Sequence, residues 1–338
     1  MSPATPDRVE LTSQSIKQKA HELGFHKVGI AAVVPHSDAT DDISEAADVR
    51  ALEQWLAQGY HADMVWMESS KRRDIRRVMP NVRAVICVAL NYYTPDQRPP
   101  GHHYAKISRY GWGRDYHRVM QKKLKALAQW MQANHETVQV RYYADAGPIQ
   151  DKAWAQRAGL GWIAKNSNVI TREYGSWVFL GELLTTINLT PDRPHAEHCG
   201  TCTRCIDACP TQAITQPFVV DANRCISYHT IENRSDSLPE AIAPHLDGWV
   251  AGCDICQDVC PWNQRFAQET DISDFQPYPW NVAPTLDDLA TLSDDDHDQR
   301  FRASALRRIK PDMMRRNARQ NLENLENLEA SVKSAYEV

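Results

Sequence analysis

The stretch Cys199-x-x-Cys202-x-x-Cys205-x-x-x-Cys209-Pro210 constrains this chain more than any other. It is the bacterial ferredoxin run, in which three thiolates ligate one [4Fe–4S] cluster and the fourth reaches across to a second. A second set of thiols is therefore required, and the sequence supplies Cys225 followed by Cys253-x-x-Cys256-x-x-x-Cys260-Pro261. The shared-run pattern assigns Cys199, Cys202, Cys205 and Cys260 to one cluster and Cys209, Cys225, Cys253 and Cys256 to the other. A Cys-x-x-Cys turn lets thiolates bind different corners of one cubane. The proline after each run keeps the next segment from continuing a helix back over the cluster.

Tetrahedral zinc is the alternative use of so many thiols, but the doubled Cys-x-x-x-Cys-Pro argues for clusters. Disulfides are disfavoured, because Met1 to Glu10 is polar and carries no apolar signal segment. Cys225 stands well before its partners, and its alternative reading is a free core thiol. Cys87 sits inside an apolar run and reads as a buried small hydrophobe. This cysteine usage points to a reducing cytoplasm. No apolar run is long enough to span a bilayer. A length of 338 residues allows two or three domains with a sizeable core. The net charge of −5 argues against a generally basic, nucleic-acid-coating protein and leaves local basic patches possible.

Along the chain, residues 11–23 have an amphipathic helical pattern ended by Gly24, and residues 28–33 form a short apolar strand. Ala46 to Ala57 is again helical in pattern. Lys71 to Val78 is strongly basic, and reads first as a solvated helix face, with contact to cofactor or nucleic-acid phosphates as the alternative. Val82 to Tyr93 is the clearest strand, apolar enough to be covered on both faces. A polar loop to Gly101 leads to an aromatic stretch from Ile107 to His117, where Asp115 can N-cap a helix running to Asn134. Val138 to Tyr143 alternates like a strand and delivers Ala144-Asp145-Ala146-Gly147-Pro148 at its end, a favoured place for catalytic groups. A helix from Gln150 to Arg157, a turn-like Trp162 to Ser167 and an apolar strand from Ser176 to Leu189 follow. Gly159 and Gly161 read as tight-turn glycines. No full Gly-x-Gly-x-x-Gly or P-loop is present, so nucleotide binding has no support. After the cysteine module the tail reads as short helices, several of them basic, with a short repetition over Asn321 to Glu329.

Five motifs, in this order, resemble the epoxyqueuosine reductase family: Tyr143 to Pro148, Arg157 to Ser167, Gly175 to Glu182, the double ferredoxin run, and Phe301-Arg302-x-Ser304-Ala305-Leu306-Arg307-Arg308. The likeness covers about residues 15–320. Ala164 departs from the glycine common there, and the tail lacks the helical-repeat extension of some members. The resemblance implies an α+β fold with three parts: a nitroreductase-like α/β cobalamin-binding domain (1–194), a two-cluster ferredoxin-like domain (195–265) and a helical C-terminal region (266–338). It also implies reduction of the epoxide of epoxyqueuosine to the alkene of queuosine at the tRNA wobble position, with cobalamin and two [4Fe–4S] clusters.

That chemistry needs two electrons and two protons, whereas clusters deliver electrons singly. A cobalt corrin fills the gap. Asp145 is the best-placed carboxyl to protonate the developing alkoxide, which requires its pKa to be raised. Asp115-Tyr116-His117 begins like an Asp-x-His-x-x-Gly cobalt-ligating motif, but Met120 replaces its glycine. The expectation is base-off cobalamin. By resemblance, its contacts are Arg109, Tyr110, Asp115, Tyr116, His117, Asp145, Lys165, Asn166, Ser167, Ser176 and Trp177. Two basic surfaces are candidates for the tRNA backbone: the Lys71 to Arg77 run, and the favoured tail residues Arg302, Arg307, Arg308, Lys310, Arg315 and Arg316, with Arg319. A monomer served by an electron donor such as flavodoxin or ferredoxin completes the expectation. Two rivals share parts of this chemistry: a corrinoid reductive dehalogenase, and a non-catalytic electron-transfer protein.

Overall fold

The computed structural model describes residues 9–33, 46–95 and 98–336. The polar N-terminus up to Arg8 and part of the loop before Gly101 lie outside the described residues. A four-stranded sheet forms the centre, in the spatial order Lys27–Ala32, Ala84–Asn91, Val178–Thr185, Val140–Tyr143. Every adjacent pair is antiparallel.

Helices cover both faces of this sheet. On one, Ser13–Glu22 and Tyr116–Asn134 set Ile16, Ala20, Leu124, Leu127 and Met131 against Ile86, Val88, Leu90 and Leu183. On the other, Asp151–Arg157 sets Trp154 and Ala155 against Val85, Cys87, Ala89 and Leu184. This double coverage is why every residue of Ala84–Asn91 is buried, and why its sequence is unbroken by polar alternation although its neighbours are antiparallel.

Local chemistry fixes the element ends. The Thr12 hydroxyl accepts from Ser15 N at the start of the first helix, and Asp115 Oδ1 accepts from His117 N at 3.0 Å, capping Tyr116–Asn134 as expected. Gly159, at φ +74°, turns the chain out of Asp151–Arg157, and a Cβ on Gly161 would stand 2.1 Å from Ile170 O. Both glycines serve turns and close packing.

The basic run departs from expectation. It forms two separate 3-10 turns, Ser70–Arg72 and Ile75–Arg77, rather than one solvated helix. Arg73 pairs with Glu53 at 3.2 Å, and Arg76 with Asp74 at 2.9 Å.

A third apolar core draws on distant parts of the chain. Ala105, Ile107 and Trp112 pack with Val250, Ala251, Leu286, Phe301, Leu306, Met313 and Met314. Strand Trp249–Ala251 runs parallel to Lys106–Ile107, so the C-terminal region packs into the body of the molecule. The sequence pattern of that region predicts short helices, but it ends in a single helix of 26 residues, Pro311–Tyr336, which contains the Asn321 to Glu329 repetition. Asn317 Nδ2 donates to Thr230 O and Val250 O, and Asn321 Nδ2 to Trp249 O, which ties this helix to the cysteine module. Its distal residues Leu328 and Val332 are exposed. Among the described residues no helix is long and apolar enough to cross a membrane.

Candidate active site

Strand Val140–Tyr143 ends at the Asp145 loop, and helix Tyr116–Asn134 begins beside it. Asp145 takes a left-handed backbone, φ +62°, a conformation that Asp tolerates better than most residues and that recurs at functional loops. Its Oδ2 accepts a hydrogen bond from Tyr116 Oη at 2.7 Å and lies 3.3 Å from His117 Nε2. The other ring nitrogen of His117, Nδ1, is 2.7 Å from Asp115 Oδ1.

This arrangement sets the protonation states. Burial pulls the His117 pKa down, but the hydrogen bonds to Asp115 and Asp145 outweigh it and raise it to about 9. The hydrogen bond from His117 is the largest influence on Asp145 and holds its carboxyl below the usual range against the opposing effect of burial. The raised pKa expected for Asp145 is therefore not found, because two donors converge on one carboxylate oxygen. Both nitrogens of His117 face carboxylates.

Asp145 opens into a cavity of 1830 Å³ between the sheet domain and the cysteine module. Cys209, Cys225, Cys253 and Cys256 line the same cavity. Several of the thiols sense one another's charge. Cys205 senses Cys260 and Cys202, and Cys225 senses Cys209, while Cys253 senses Cys256 and Cys225. Cys256 is close enough to sense both Cys225 and Cys205, so the two sets adjoin. Burial pushes the Cys205, Cys225, Cys253 and Cys256 thiols up. Among the described residues no three His, Cys, Asp or Glu converge closely enough for a single ion. Cys87 is fully buried in the central strand, away from the cavity.

Of the expected corrin contacts, Tyr110, Tyr116, His117, Asp145, Asn166 and Ser167 line the cavity. Arg109, Asp115, Lys165, Ser176 and Trp177 do not, and each has a structural task. Arg109 is buried over the Trp177 ring at 4.9 Å, with Nη1 2.7 Å from Asp258 and 3.5 Å from Asp254. It clamps the segment between Cys253 and Cys260 to the sheet domain. Lys165 Nζ donates to Gly200 O at 2.6 Å and Cys202 O at 2.9 Å, holding the first cysteine turn. Ser176 donates through Oγ to Gln257 Oε1 and through its backbone N–H to Asn263 Oδ1. Asp115 stands behind His117. Arg72, from the basic run, also lines the cavity, as do Trp66, Asp151, Lys152, Phe218, Glu232 and Gln257, which the sequence patterns do not single out.

The tail arginines divide in the same way. Arg316 is turned inward, donating to His229 O at 2.7 Å and Asn233 O at 3.0 Å and also to Ser235 O. Arg315 donates to Leu292 O at 2.7 Å and pairs with Asp294 at 2.8 Å and with Asp312. Arg319 Nε donates to Ala290 O. Arg302 and Arg307 are exposed and share Asp298, at 3.5 and 2.6 Å. Arg308 grips Glu232 with two bonds, 2.6 and 2.7 Å, at the cavity wall. Lys310 is exposed.

A cavity lined by an acid–base cluster and by thiols in ferredoxin spacing defines an iron–sulfur oxidoreductase. Residues 198–263 match the family model for a 4Fe-4S double cluster binding domain. Residues 72–146 match that of "Epoxyqueuosine reductase QueG, DUF1730". An epoxyqueuosine reductase of Synechocystis sp. is 62% identical over 86% of this chain and 99% of its own length. One from Gloeobacter violaceus is 54% identical over 92% of this chain and 96% of its own. The fold matches a crystal structure of an epoxyqueuosine reductase with an epoxyqueuosine-modified tRNA stem loop, at TM-score 0.81 and 29% identity over 92% of this chain and 80% of that one. It also matches a Bacillus subtilis epoxyqueuosine reductase with its catalytic loop swung out of the active site, at TM-score 0.80 and 29% identity over 94% and 82%. The chain belongs to the epoxyqueuosine reductase family, which decides against the dehalogenase and carrier-protein readings.

Proposed function

We propose that this enzyme reduces the epoxide of epoxyqueuosine in the tRNA anticodon loop to the alkene of queuosine, in the cavity between Asp145 and the cysteine module. The single observation that carries the reading is that Asp145 and Cys209, Cys225, Cys253 and Cys256 line one space. We assign Cys199, Cys202, Cys205 and Cys260 to one [4Fe–4S] cluster, and the four cavity-side thiols to the other. We divide the chain at 1–194, 195–265 and 266–338.

The cavity is larger than the ~300–1,000 Å³ of ordinary ligand sites and suits a macrocycle. Tyr110, Tyr116, Asn166 and Ser167 offer polar contacts on its wall, and a base-off corrin there would be held without His117, whose ring nitrogens are both engaged. Bound there, cobalamin supplies the low-potential two-electron chemistry that single-electron clusters lack.

The chain's own residues manage protons. Asp145 faces the epoxide oxygen as the ring opens. At neutral pH the proton resides on His117, and Asp145 relays it through the Nε2–Oδ2 contact. Asp115 then stabilises the His117 ring in the orientation this transfer needs. The tRNA backbone meets Arg302, Arg307 and Lys310, the tail cations that point to solvent, while Arg308 stands at the cavity entrance. A soluble one-electron carrier such as flavodoxin or ferredoxin recharges the enzyme, which works as a monomer in the reducing cytoplasm.

The test is anaerobic incubation of cluster- and cobalamin-loaded enzyme with an epoxyqueuosine-bearing anticodon stem loop and a strong one-electron reductant. Nucleoside mass analysis should show loss of one oxygen atom, dependent on cobalamin. An unchanged nucleoside with both cofactors bound would overturn the reading.

A further inference from the structure

Strand Val178–Thr185 breaks its own pattern at one position. Val178, Leu180 and Leu184 belong to the apolar layer that includes Val85, Cys87 and Trp154, and Glu182 stands among them, paired in register with Cys87. Glu182 is 0% exposed. Among the described residues neither of its carboxyl oxygens meets an N–H or O–H donor, and Asp151 Oδ1 is buried in the same condition. The two carboxyls lie within hydrogen-bonding reach of each other.

Two ionised carboxylates do not persist at such close range in an apolar layer, so one holds a proton and donates it to the other. Desolvation selects Glu182 as the holder. Its acid form is favoured well above the ordinary carboxylate range by burial and by the charge of Asp151. Burial pushes Asp151 up to about 6. The other ionisable groups facing the pair are Cys87, itself a neutral buried thiol, Asp145, whose charge holds the proton more firmly, Arg72, which opposes that effect at Asp151, and the buried Lys152, whose charge also meets Asp151. Asp151 lines the cavity, whereas Glu182 stands behind it.

We propose that Glu182 and Asp151 form a proton-sharing pair behind the cavity wall, and that Asp151 delivers this proton to the hydroxyl that leaves as water. The proposal rests on the reductase reading above. That reaction breaks both C–O bonds of the epoxide, forms a C=C bond and consumes two electrons and two protons. The electrons come from the one-electron carrier. The first proton reaches the oxygen at ring opening, from Asp145. The second reaches the resulting hydroxyl as its C–O bond breaks. Asp151 gives up that proton, Glu182 replaces it, and water in the cavity refills the pair. Asp151 meets the leaving group, and Glu182 is the positioning residue that keeps a proton available at neutral pH.

Glu182→Gln keeps the shape and a hydrogen-bond donor toward Asp151 but removes the stored proton. Infrared spectra of cluster-loaded enzyme at neutral pH should show the carbonyl stretch of a protonated carboxylic acid in the wild type and lose it in this variant. Its turnover of the epoxyqueuosine stem loop should fall about 10- to 100-fold near pH 7.5 and recover as the pH is lowered and Asp151 itself becomes protonated. Asp151→Asn should lose turnover without acid recovery. The proposal is overturned by absence of the infrared band in the wild type, by its persistence in Glu182→Gln, or by a turnover loss that acid does not restore while iron and cobalt contents stay normal. If the wild type fails to convert the stem loop, the reductase reading fails, and the infrared band still decides the pair by itself.

Discussion

Tyr116 Oη lies 2.7 Å from Asp145 Oδ2, and its ring lies flat on Phe179, with centroids 4.1 Å and planes 6° apart. Phe179 belongs to a central strand, so the sheet core positions the tyrosine and the tyrosine positions the acid. His117 completes the arrangement by bridging Asp145 and Asp115.

That bridge makes stability depend on pH in a defined direction. The pKa of His117 rises from 6.5 in the unfolded chain to about 9 in the fold. A group with a raised folded pKa adds stability fully below its unfolded pKa and loses it as the pH climbs through the folded one. Thermal unfolding of wild type and His117→Gln should therefore differ most below pH 6.5, and the gap should close by about pH 9 to 10. A gap that widens with pH would contradict the charged bridge.

Much of this is legible in the sequence, and the rest is hidden for physical reasons. The cysteine runs, the Asp115 cap and Asp145 at a strand end are local signals, set by spacing and backbone chemistry. Trp66 and Glu232 reach the cavity through tertiary packing alone, which no local pattern records. Arg109 and Lys165 resemble ligand contacts because cationic and aromatic groups cluster there, yet they serve as clamps between domains. Glu182 is readable as a carboxyl breaking an apolar strand, although only the fold shows Asp151 against it. Helical periodicity marks the tail, but its continuity as one helix, Pro311–Tyr336, tied to the cysteine module at Asn317 and Asn321, is seen only in the fold.

Iron content tests the cluster assignment. Anaerobic reconstitution should saturate near about eight irons per chain, and Cys225→Ala should lose iron from one cluster. Cys87→Ser should leave iron unchanged. Saturation at about four would remove one cluster.

The tail separates binding from folding. Charge reversal at Arg302, Arg307 and Lys310 should weaken tRNA binding and reduce the slope of its salt dependence by about one unit for each phosphate no longer neutralised. The exposed ion pairs of Arg302 and Arg307 with Asp298 are worth only about 0–1 kcal/mol, too little to withhold these arginines from RNA. Arg316→Ala should instead lower the unfolding midpoint, costing about 2–3 kcal/mol as its backbone acceptors lose a charged donor. Unchanged RNA affinity in the triple variant would make the tail a packing element only.

Base-off binding has a spectroscopic signature. In the Co(II) form, electron paramagnetic resonance should lack nitrogen hyperfine splitting from an axial ligand. Its presence would mean that a nitrogen, from His117 or from the nucleotide base of the cofactor, reaches cobalt.

Asp145 carries the central claim, and Asp145→Asn tests it most directly. Asparagine keeps the shape of the side chain but cannot pass on an acidic proton. With iron and cobalt contents equal to wild type, single-turnover conversion of the epoxyqueuosine stem loop should slow by about 10² to 10⁴. Conversion at the wild-type rate in that variant would place the chemistry elsewhere.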